Sequence, residues 1–327
     1  MNTPTTDARS AKPACCRAAA SDAAAVARAA QPARTEGMVR IAGGAFTMGS
    51  DRFYREERPA RRVVAPDFWI DAHPVTNAQF AAFVAATGYL TTAERQPDAA
   101  RYPGADPALL CAASLVFAQP AGRVARHDYR QWWAYVPGAS WRHPQGPASG
   151  LDGLADHPVV HVSFADASAY AAWAGKALPT EIEWEYAARG GLDGATYPWG
   201  DAFAPDGRQM ANTWQGEFPW QNTALDGYER TSPVRTYPAN GYGLYDVAGN
   251  VWEWTATRYG HAPGADEARS CCIPSSALDD PNLRHVVKGG SHLCAPNYCL
   301  RYRPAARQGQ TLDTSTSHIG FRCVVRV

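Results

Sequence analysis

From about residue 191 to the end, the sequence carries no long helical pattern. It is Gly, Trp and Asx-rich loop, interrupted by brief apolar runs such as Val286-Val287 and Phe321-Arg322-Cys323-Val324-Val325. A chain whose helices are confined to its first part, with long loops after them, reads as one α+β domain of short helices and short strands. Loops of this length are not passive connections. Something must fix them, either metal ions or a dense aromatic core, and the 11 Trp and 15 Tyr are enough for the latter.

The first part has clearer punctuation. Val39-Arg40-Ile41, a Gly43-Gly44 turn and Phe46-Thr47-Met48-Gly49 read as strand, turn and strand. Val63-Val64 and Phe68-Trp69-Ile70 read as a further strand. Thr76 with Gln79 forms a capping box, Phe80, Phe83 and Val84 fall on one helical face, and Gly88 supplies a stop. Residues 92–135 give no period and read as a long irregular segment. Pro158 to Val162 reads as a short strand. Two more helices open at Ser163 (Asp166 at the third position, Gly175 at the end) and at Thr180 (Glu183 completing the box, Gly190 closing it). Residues 1–34 are rich in Ala, Thr and Pro and read as a disordered tail, with a single domain from 35 to 327.

A formal net charge of zero argues against a general nucleic-acid or membrane-surface binder. No run of eighteen apolar residues marks a transmembrane helix. The N-terminus lacks a compact apolar export segment, so the 8 cysteines are expected to be reduced thiols in the cytoplasm. The vicinal pairs Cys15-Cys16 and Cys271-Cys272 would make strained bridges in any case.

Reactive side chains concentrate in Lys288 to Arg307, KGGSHLCAPNYCLRYRPAAR. Cys294 and Cys299 stand five positions apart, after Gly289-Gly290-Ser291 and before Arg301-Tyr302-Arg303. Such a pair can be two buried thiols, a disulfide, a redox dithiol, or two soft ligands for Cu(I) or zinc. A structural zinc site would need two more ligands, for which His285 and His292 stand nearby without a recognised spacing. Two loops join side-chain oxygens to Gly-rich backbone. They are Asn212 to Glu217 with Asn222 and Asp226-Gly227-Tyr228, and Tyr245 to Glu253. A hard cation such as Ca2+ takes oxygens of this kind, although Asx and Gly are also ordinary turn formers. No nucleophile elbow, phosphate-binding Gly loop or dinucleotide fingerprint is present.

Several linked motifs, taken together, resemble one family. They are Gly44 to Gly49, Trp141-Arg142-His143-Pro144, His157-Pro158-Val159, Leu178-Pro179-Thr180-Glu181 and Glu183 to Ala187. Asn212 to Pro219, Asn240 to Tyr245, Gly249 to Trp254, the cysteine stretch and Gly320-Phe321-Arg322 complete the set. The chain resembles the formylglycine-generating enzymes, or sulfatase-modifying factors, from about Gly43 onward. The resemblance implies an irregular, loop-rich α+β fold related to the C-type lectin fold. It implies an O2-dependent oxidase that converts the cysteine of a C-x-P-x-R segment in a sulfatase to Cα-formylglycine, with a thiol reductant.

By this likeness Cys294 and Cys299 hold Cu(I), the substrate cysteine joins as a third sulfur, and Ser291 helps to position the oxygen species. Hydrogen abstraction from the substrate Cβ then leads to a thioaldehyde that hydrolyses. The likeness also implies two structural Ca2+ sites. One uses the Asn212 and Asp226 side chains with the Thr213 and Tyr228 carbonyls. The other uses the Asp246 and Glu253 side chains with the Gly249 and Val251 carbonyls. The chain departs from the family at Ala295-Pro296, where His-Arg or His-Asp is common. It also has Ala171, Ala188 and Pro304 where animal members form disulfides, which leaves Cys323 without a partner. The competing reading is a non-catalytic C-type-lectin-like binding module, which has no reason to keep the cysteine pair.

Overall fold

The computed structural model describes residues 26, 27, 29, 31–260 and 283–327. Cys15-Cys16 and Cys271-Cys272 lie outside the described residues. Part of the stretch expected as tail is packed: Val26 is buried in the main apolar cluster, and the Gln31 N–H donates to the Trp173 carbonyl at 2.7 Å.

From residue 31 onward, the described residues form four small sheets, three α-helices and several short 3-10 turns. β1 (Met38–Ile41), β4 (Phe68–Asp71) and β11 (Val324–Arg326) form one antiparallel sheet in the order β1-β4-β11. β2 (Gly44–Met48) pairs with β3 (Arg61–Ala65), and β5 (Ala113–Phe117) pairs with β6 (Trp133–Pro137). The fourth sheet is ordered β10-β7-β8-β9, from β7 (Trp252–Arg258), β8 (Arg284–Lys288), β9 (Arg307–Thr311) and β10 (Ile319–Gly320). The helices are α1 (Asn77–Thr87), α2 (Phe164–Trp173) and α3 (Glu181–Arg189).

All three helices begin where the sequence places them. Thr76, Ser163 and Thr180 each cap the third backbone N–H, and the third side chain returns the bond. Gly88 and Gly190 end α1 and α3 in the left-handed region that only glycine enters without strain.

Several strand expectations are corrected. Residues 63–70 are two strands in different sheets, because Pro66 withholds a donor and breaks the ladder. Pro158 to Val162 is buried but makes only an isolated bridge, since His161 sits at φ 59° and cannot continue an extended run. The irregular segment 92–135 contains β5 and the start of β6, and the helix-free region holds β7, seven residues long. β7 is buried over its first four residues, so it lacks the alternation that marks a half-exposed strand.

Aromatic rings fill the core. Phe80 on α1 lies within 5.2–6.4 Å of the rings of Phe83, Trp141, Tyr170 and Phe321, mostly edge to face. These rings join α1, α2 and the C-terminal segment, elements far apart in sequence.

Buried charges do the rest. In the β8–β9 ladder Lys288 lies opposite Arg307, a like-charge pair that repels. Both are neutralised by α3. Lys288 Nζ reaches Glu185 at 2.9 Å and Glu181 at 3.3 Å, and Arg307 takes both Glu181 oxygens at 2.8 and 2.9 Å. Burial pushes the Glu185 acid upward, but the charges of Lys288 and Arg189 outweigh it and hold the group below the usual range. Glu253 on β7 is likewise met by Arg322 at 2.7 and 2.8 Å and by Trp184 Nε1 at 2.8 Å.

Two stability predictions follow from these contacts. Glu181→Gln leaves Lys288 and Arg307 face to face without their shared counter-charge and is expected to cost about 3–5 kcal/mol. Arg62→Ala, which removes an exposed pair to Asp193, is expected to cost under about 1 kcal/mol. Urea midpoints of the two variants would test this, and equal losses would refute the ranking. His161 is fully buried, and burial drives its pKa down to about 4, below the unfolded value near 6.5. Its contribution is therefore complete above about pH 6.5 and falls as the pH drops toward 4. The loss between pH 7 and pH 5 is about 2 kcal/mol. His161→Asn, tolerant of the positive φ, should flatten that slope by a comparable amount. An unchanged slope would mean that His161 is already charged in the fold.

Candidate functional site

The two cysteines lie on the connection between β8 and β9, which the Glu181 contacts close at its base. Gly289 and Gly290, at φ 89° and 70°, turn the chain out of β8. The turn is tight enough that a Cβ on Gly290 would stand 2.7 Å from the Arg301 carbonyl oxygen, so outgoing and returning chain cross in contact. The Cys294 N–H then donates to the Ser291 carbonyl at 2.9 Å, and the Cys299 N–H donates to the Ala295 carbonyl at 2.8 Å. These two bonds point both side chains inward.

Their sulfurs lie 2.9 Å apart, well beyond the ~2.05 Å of a disulfide, and both thiols are free. Cys294 is 2% exposed and Cys299 8%. Burial and the neighbouring Cys299 push the Cys294 thiol well above its usual pKa. A hydrogen bond from Cys294, aided by the Arg301 guanidinium, brings Cys299 down to about 7 although burial opposes it. The pair thus shares one proton readily and is a two-sulfur donor set poised near neutrality. Ser291, fully buried, donates its N–H to Cys294 Sγ at 3.5 Å, and its Oγ accepts from Leu293 N–H at 3.3 Å.

The two histidines nearest the pair in sequence, His285 and His292, do not join the sulfurs. His292 Nδ1 faces the Asn250 carbonyl at 2.8 Å, and the His285 ring lies on Phe164 at 3.9 Å. Among the described residues no third His, Cys, Asp or Glu stands with the pair. Two soft sulfurs in a dry turn, with Ala295 rather than a further ligand beside them, fit Cu(I) better than a four-coordinate zinc.

Both oxygen-rich loops touch this turn. The second is hooked to it at Gly249, whose N–H donates to the Gly289 carbonyl, and at Asn250, whose carbonyl accepts from the His292 N–H. The first is hooked at Trp214, whose N–H donates to the Cys294 carbonyl at 3.0 Å. The loops also meet each other, since the Asn250 N–H donates to the Asn212 carbonyl at 2.9 Å.

In the first loop Asn212 and Thr213 are buried, and Asn212 Nδ2 donates to the Arg230 carbonyl, which leaves Oδ1 as its remaining acceptor. Asp226 accepts from Tyr237 OH at 2.6 Å and from the Tyr228 N–H at 3.1 Å, and among the described residues no cation pairs with it. Thr213 Oγ1 is buried without a partner. This set of oxygens fits a hard cation. In the second loop Asp246 is buried and accepts from the Arg235 N–H at 2.9 Å, among the described residues no cationic side chain pairs with it, and burial raises its acid to about 6, so an added cation would offset its desolvation. Glu253 is different. Its oxygens are already held by Arg322 and Trp184, and it does not fit as a ligand unless the guanidinium gives way.

Sequence reasoning passed over the segment that covers the turn from the other side. Tyr54 OH accepts from the Leu300 N–H at 3.0 Å, Glu56 pairs with Arg301 at 2.6 Å, and Glu57 pairs with Arg303 on a buried fork. The partners are about 245 positions apart, and only the Arg301-Tyr302-Arg303 run hinted at them. Rings line the outer side. Tyr298, 41% exposed, stacks on Phe218 at 4.4 Å and meets Trp132 edge-on, with Pro296 and Asn297 also open to solvent.

Residues 23–327 match the sulfatase-modifying factor enzyme 1-like domain. The chain is 56% identical over 290 residues to the formylglycine-generating enzyme of Mycobacterium tuberculosis, covering 88% of this chain and 97% of that one. It is 48% identical over 297 residues to the formylglycine-generating enzyme of Thermomonospora curvata, covering 88% and 93%. Among solved structures it resembles PvdO from Pseudomonas aeruginosa, with a TM-score of 0.57 and 26% identity over 89% of this chain and 94% of that one. The loop-rich α+β architecture expected from the sequence is this fold.

Burial predicts an order of thiol reactivity. In the reduced, metal-free protein, iodoacetamide should label Cys294 and Cys299 at least about tenfold more slowly than the half-buried Cys111, as read by peptide mass spectrometry. Denaturant should abolish the difference. Equal rates without denaturant would mean that the turn stands open.

Proposed function

The chain belongs to the sulfatase-modifying factor family, and we propose on that footing that it is a formylglycine-generating oxidase, which converts a cysteine of a sulfatase to Cα-formylglycine. The single observation that carries the reading to residues is the buried pair Cys294 and Cys299, with free sulfurs 2.9 Å apart on a turn pinned by both loops. Those two side chains would hold Cu(I), which when bound supplies the one-electron chemistry with O2 that no protein side chain offers.

The chain's own residues provide the setting. Gly289-Gly290 and the Ser291 and Ala295 carbonyls fix both thiols on one side of the turn. Ser291, fully buried, donates its backbone N–H to Cys294 Sγ, and its hydroxyl would help to position the oxidant. Cys294 and Cys299 pack in the main apolar core with Tyr302, while Leu293 and Ala295 on either side of Cys294 pack with Trp132, Trp214 and Phe218, and together the two clusters exclude water from the pair. Tyr298, Pro296 and Asn297 present the exposed edge at which a peptide would arrive. We read the substrate segment as C-x-P-x-R in an unfolded or nascent sulfatase. Taking the substrate thiol to the aldehyde removes two electrons from the substrate. O2 accepts four on its way to water, so a thiol reductant gives the other two, and the substrate sulfur leaves as hydrogen sulfide.

Ca2+ is proposed as a structural ion in both loops. Asn212, Thr213, Asp226 and Tyr228 would hold one ion, and Asp246 with the carbonyls of Gly249 and Val251 the other. Glu253 would then keep its bond to Arg322 and brace the loop from inside. The free Cys294, Cys299 and Cys323 suit a reducing compartment, and the cytoplasm is the setting proposed.

The test is mass spectrometry on a C-x-P-x-R peptide incubated with copper-loaded protein, a thiol reductant and air. The peptide cysteine should become an aldehyde, and conversion should stop when copper is chelated or when Cys294 or Cys299 is replaced by Ser. A Cys294→Ser protein that turns over undiminished would refute the two-sulfur assignment.

A further inference from the structure

Arg301, Arg303 and Arg307 follow the cysteine pair within eight positions, and two of them are fully occupied. Arg303 is forked onto Glu57 and also donates to the Leu300 carbonyl. Arg307 is forked onto Glu181. Arg301 is placed differently. Its Nη2 holds a single Glu56 oxygen at 2.6 Å, and its plane lies on the Tyr54 ring at 3.8 Å. Its Nη1 is turned to Cys299 Sγ at 4.0 Å, and its Nε is buried without an acceptor. The guanidinium therefore stands between a carboxylate and a sulfur, in the same order as the carboxylate and histidine behind many metal sites.

Its posture is set from far away in sequence. Tyr54 and Glu56 belong to the short segment at 54–57, which is joined to the cysteine stretch by the Leu300–Tyr54 bond, the Glu57–Arg303 fork and the Arg307–Glu56 carbonyl contact. Phe53 lies under Arg303 at 3.7 Å. With these four anchors between the two segments, the Arg301 side chain has little freedom to leave the sulfur.

We infer that Arg301 is a positioning residue for the metal-loaded pair: held by Tyr54 and Glu56, its guanidinium compensates the negative charge that two thiolates carry when they bind Cu(I). The inference rests on the copper reading given above. Two thiolates and one monovalent cation carry a net negative charge in a buried turn, and a buried charge is costly unless it is paired. Arg301 is the cation within reach of either sulfur among the described contacts. Outer partners of this kind change metal affinity by about 10–100-fold when removed.

The experiment is anaerobic competition for Cu(I) between the full-length protein and a chromogenic Cu(I) chelator, without substrate or turnover. Arg301→Gln and Arg301→Met are expected to bind Cu(I) at least about tenfold more weakly, while Arg301→Lys, which keeps the charge, stays within about threefold of the parent chain. Arg301→Gln at parental affinity would overturn the inference. So would Arg301→Lys losing as much as Arg301→Met, because packing rather than charge would then be the cause. If neither neutral variant folds, Tyr54→Leu removes the supporting ring and no charge. At least threefold weaker binding is expected there, and unchanged affinity overturns the assignment. A parent chain that binds no Cu(I) removes the copper reading itself and the Arg301 role with it.

Discussion

Glu181 is the point on which the cysteine turn depends. β8 ends at Lys288 and β9 begins at Arg307, and the ladder sets these two cations opposite each other at the base of the connection. Left alone they would force the strands apart. Glu181, the first residue of α3, takes Arg307 with both oxygens and Lys288 with one of them, and Glu185 one turn later takes the other side of Lys288. The helix thereby closes a loop of eighteen intervening residues in the interior. Breaking one member leaves buried charge unpaired, which is why such networks are sensitive to single substitutions.

With its base closed, the turn is shaped by contacts from three directions. The two oxygen-rich loops reach it through Gly249, Asn250 and Trp214, and the 54–57 segment reaches it through Tyr54 and Glu56. Gly249 has no room for a side chain, since a Cβ there would stand 2.1 Å from the Asn212 carbonyl oxygen. The loops that would hold Ca2+ are therefore part of the wall that orients the sulfurs. A cation in either loop would act on the cysteines through rigid backbone rather than through its own charge. This links the structural ions of the proposal to the chemistry of the pair.

The dryness of the pair has two sources, since Cys294 and Cys299 pack in the main core around Phe80 while their neighbours Leu293 and Ala295 belong to a second apolar cluster. Trp132, Trp214, Phe218, Leu293 and Ala295 form a cluster of their own, apart from the main core around Phe80. Ala295, fully buried, keeps that cluster apolar beside the exposed ring of Tyr298, which stacks on Phe218. Low local polarity raises the cost of any charge placed on the sulfurs, and so raises the value of a nearby guanidinium.

The sequence by itself determined the helices, the α+β class, the cysteine pair and both oxygen-rich loops. Capping boxes at Thr76, Ser163 and Thr180 are local chemistry between residues three apart, and Gly88 and Gly190 are local stops. The motif set around Cys294 and Cys299 carried the family reading for the same reason, as spacing within a short stretch is visible in one dimension. Strand partners were not legible. β7, buried from its first residue, shows no alternation, and 63–70 hides a change of sheet at Pro66. Nor were the groups that complete the site. Glu56 meets Arg301 across 245 positions, Glu181 meets Lys288 across 107, and Glu253 meets Arg322 across 69. Only tertiary structure decided these pairs, because a charge in the interior finds its partner through space, and the chain between them leaves no periodic trace of which partner it will be.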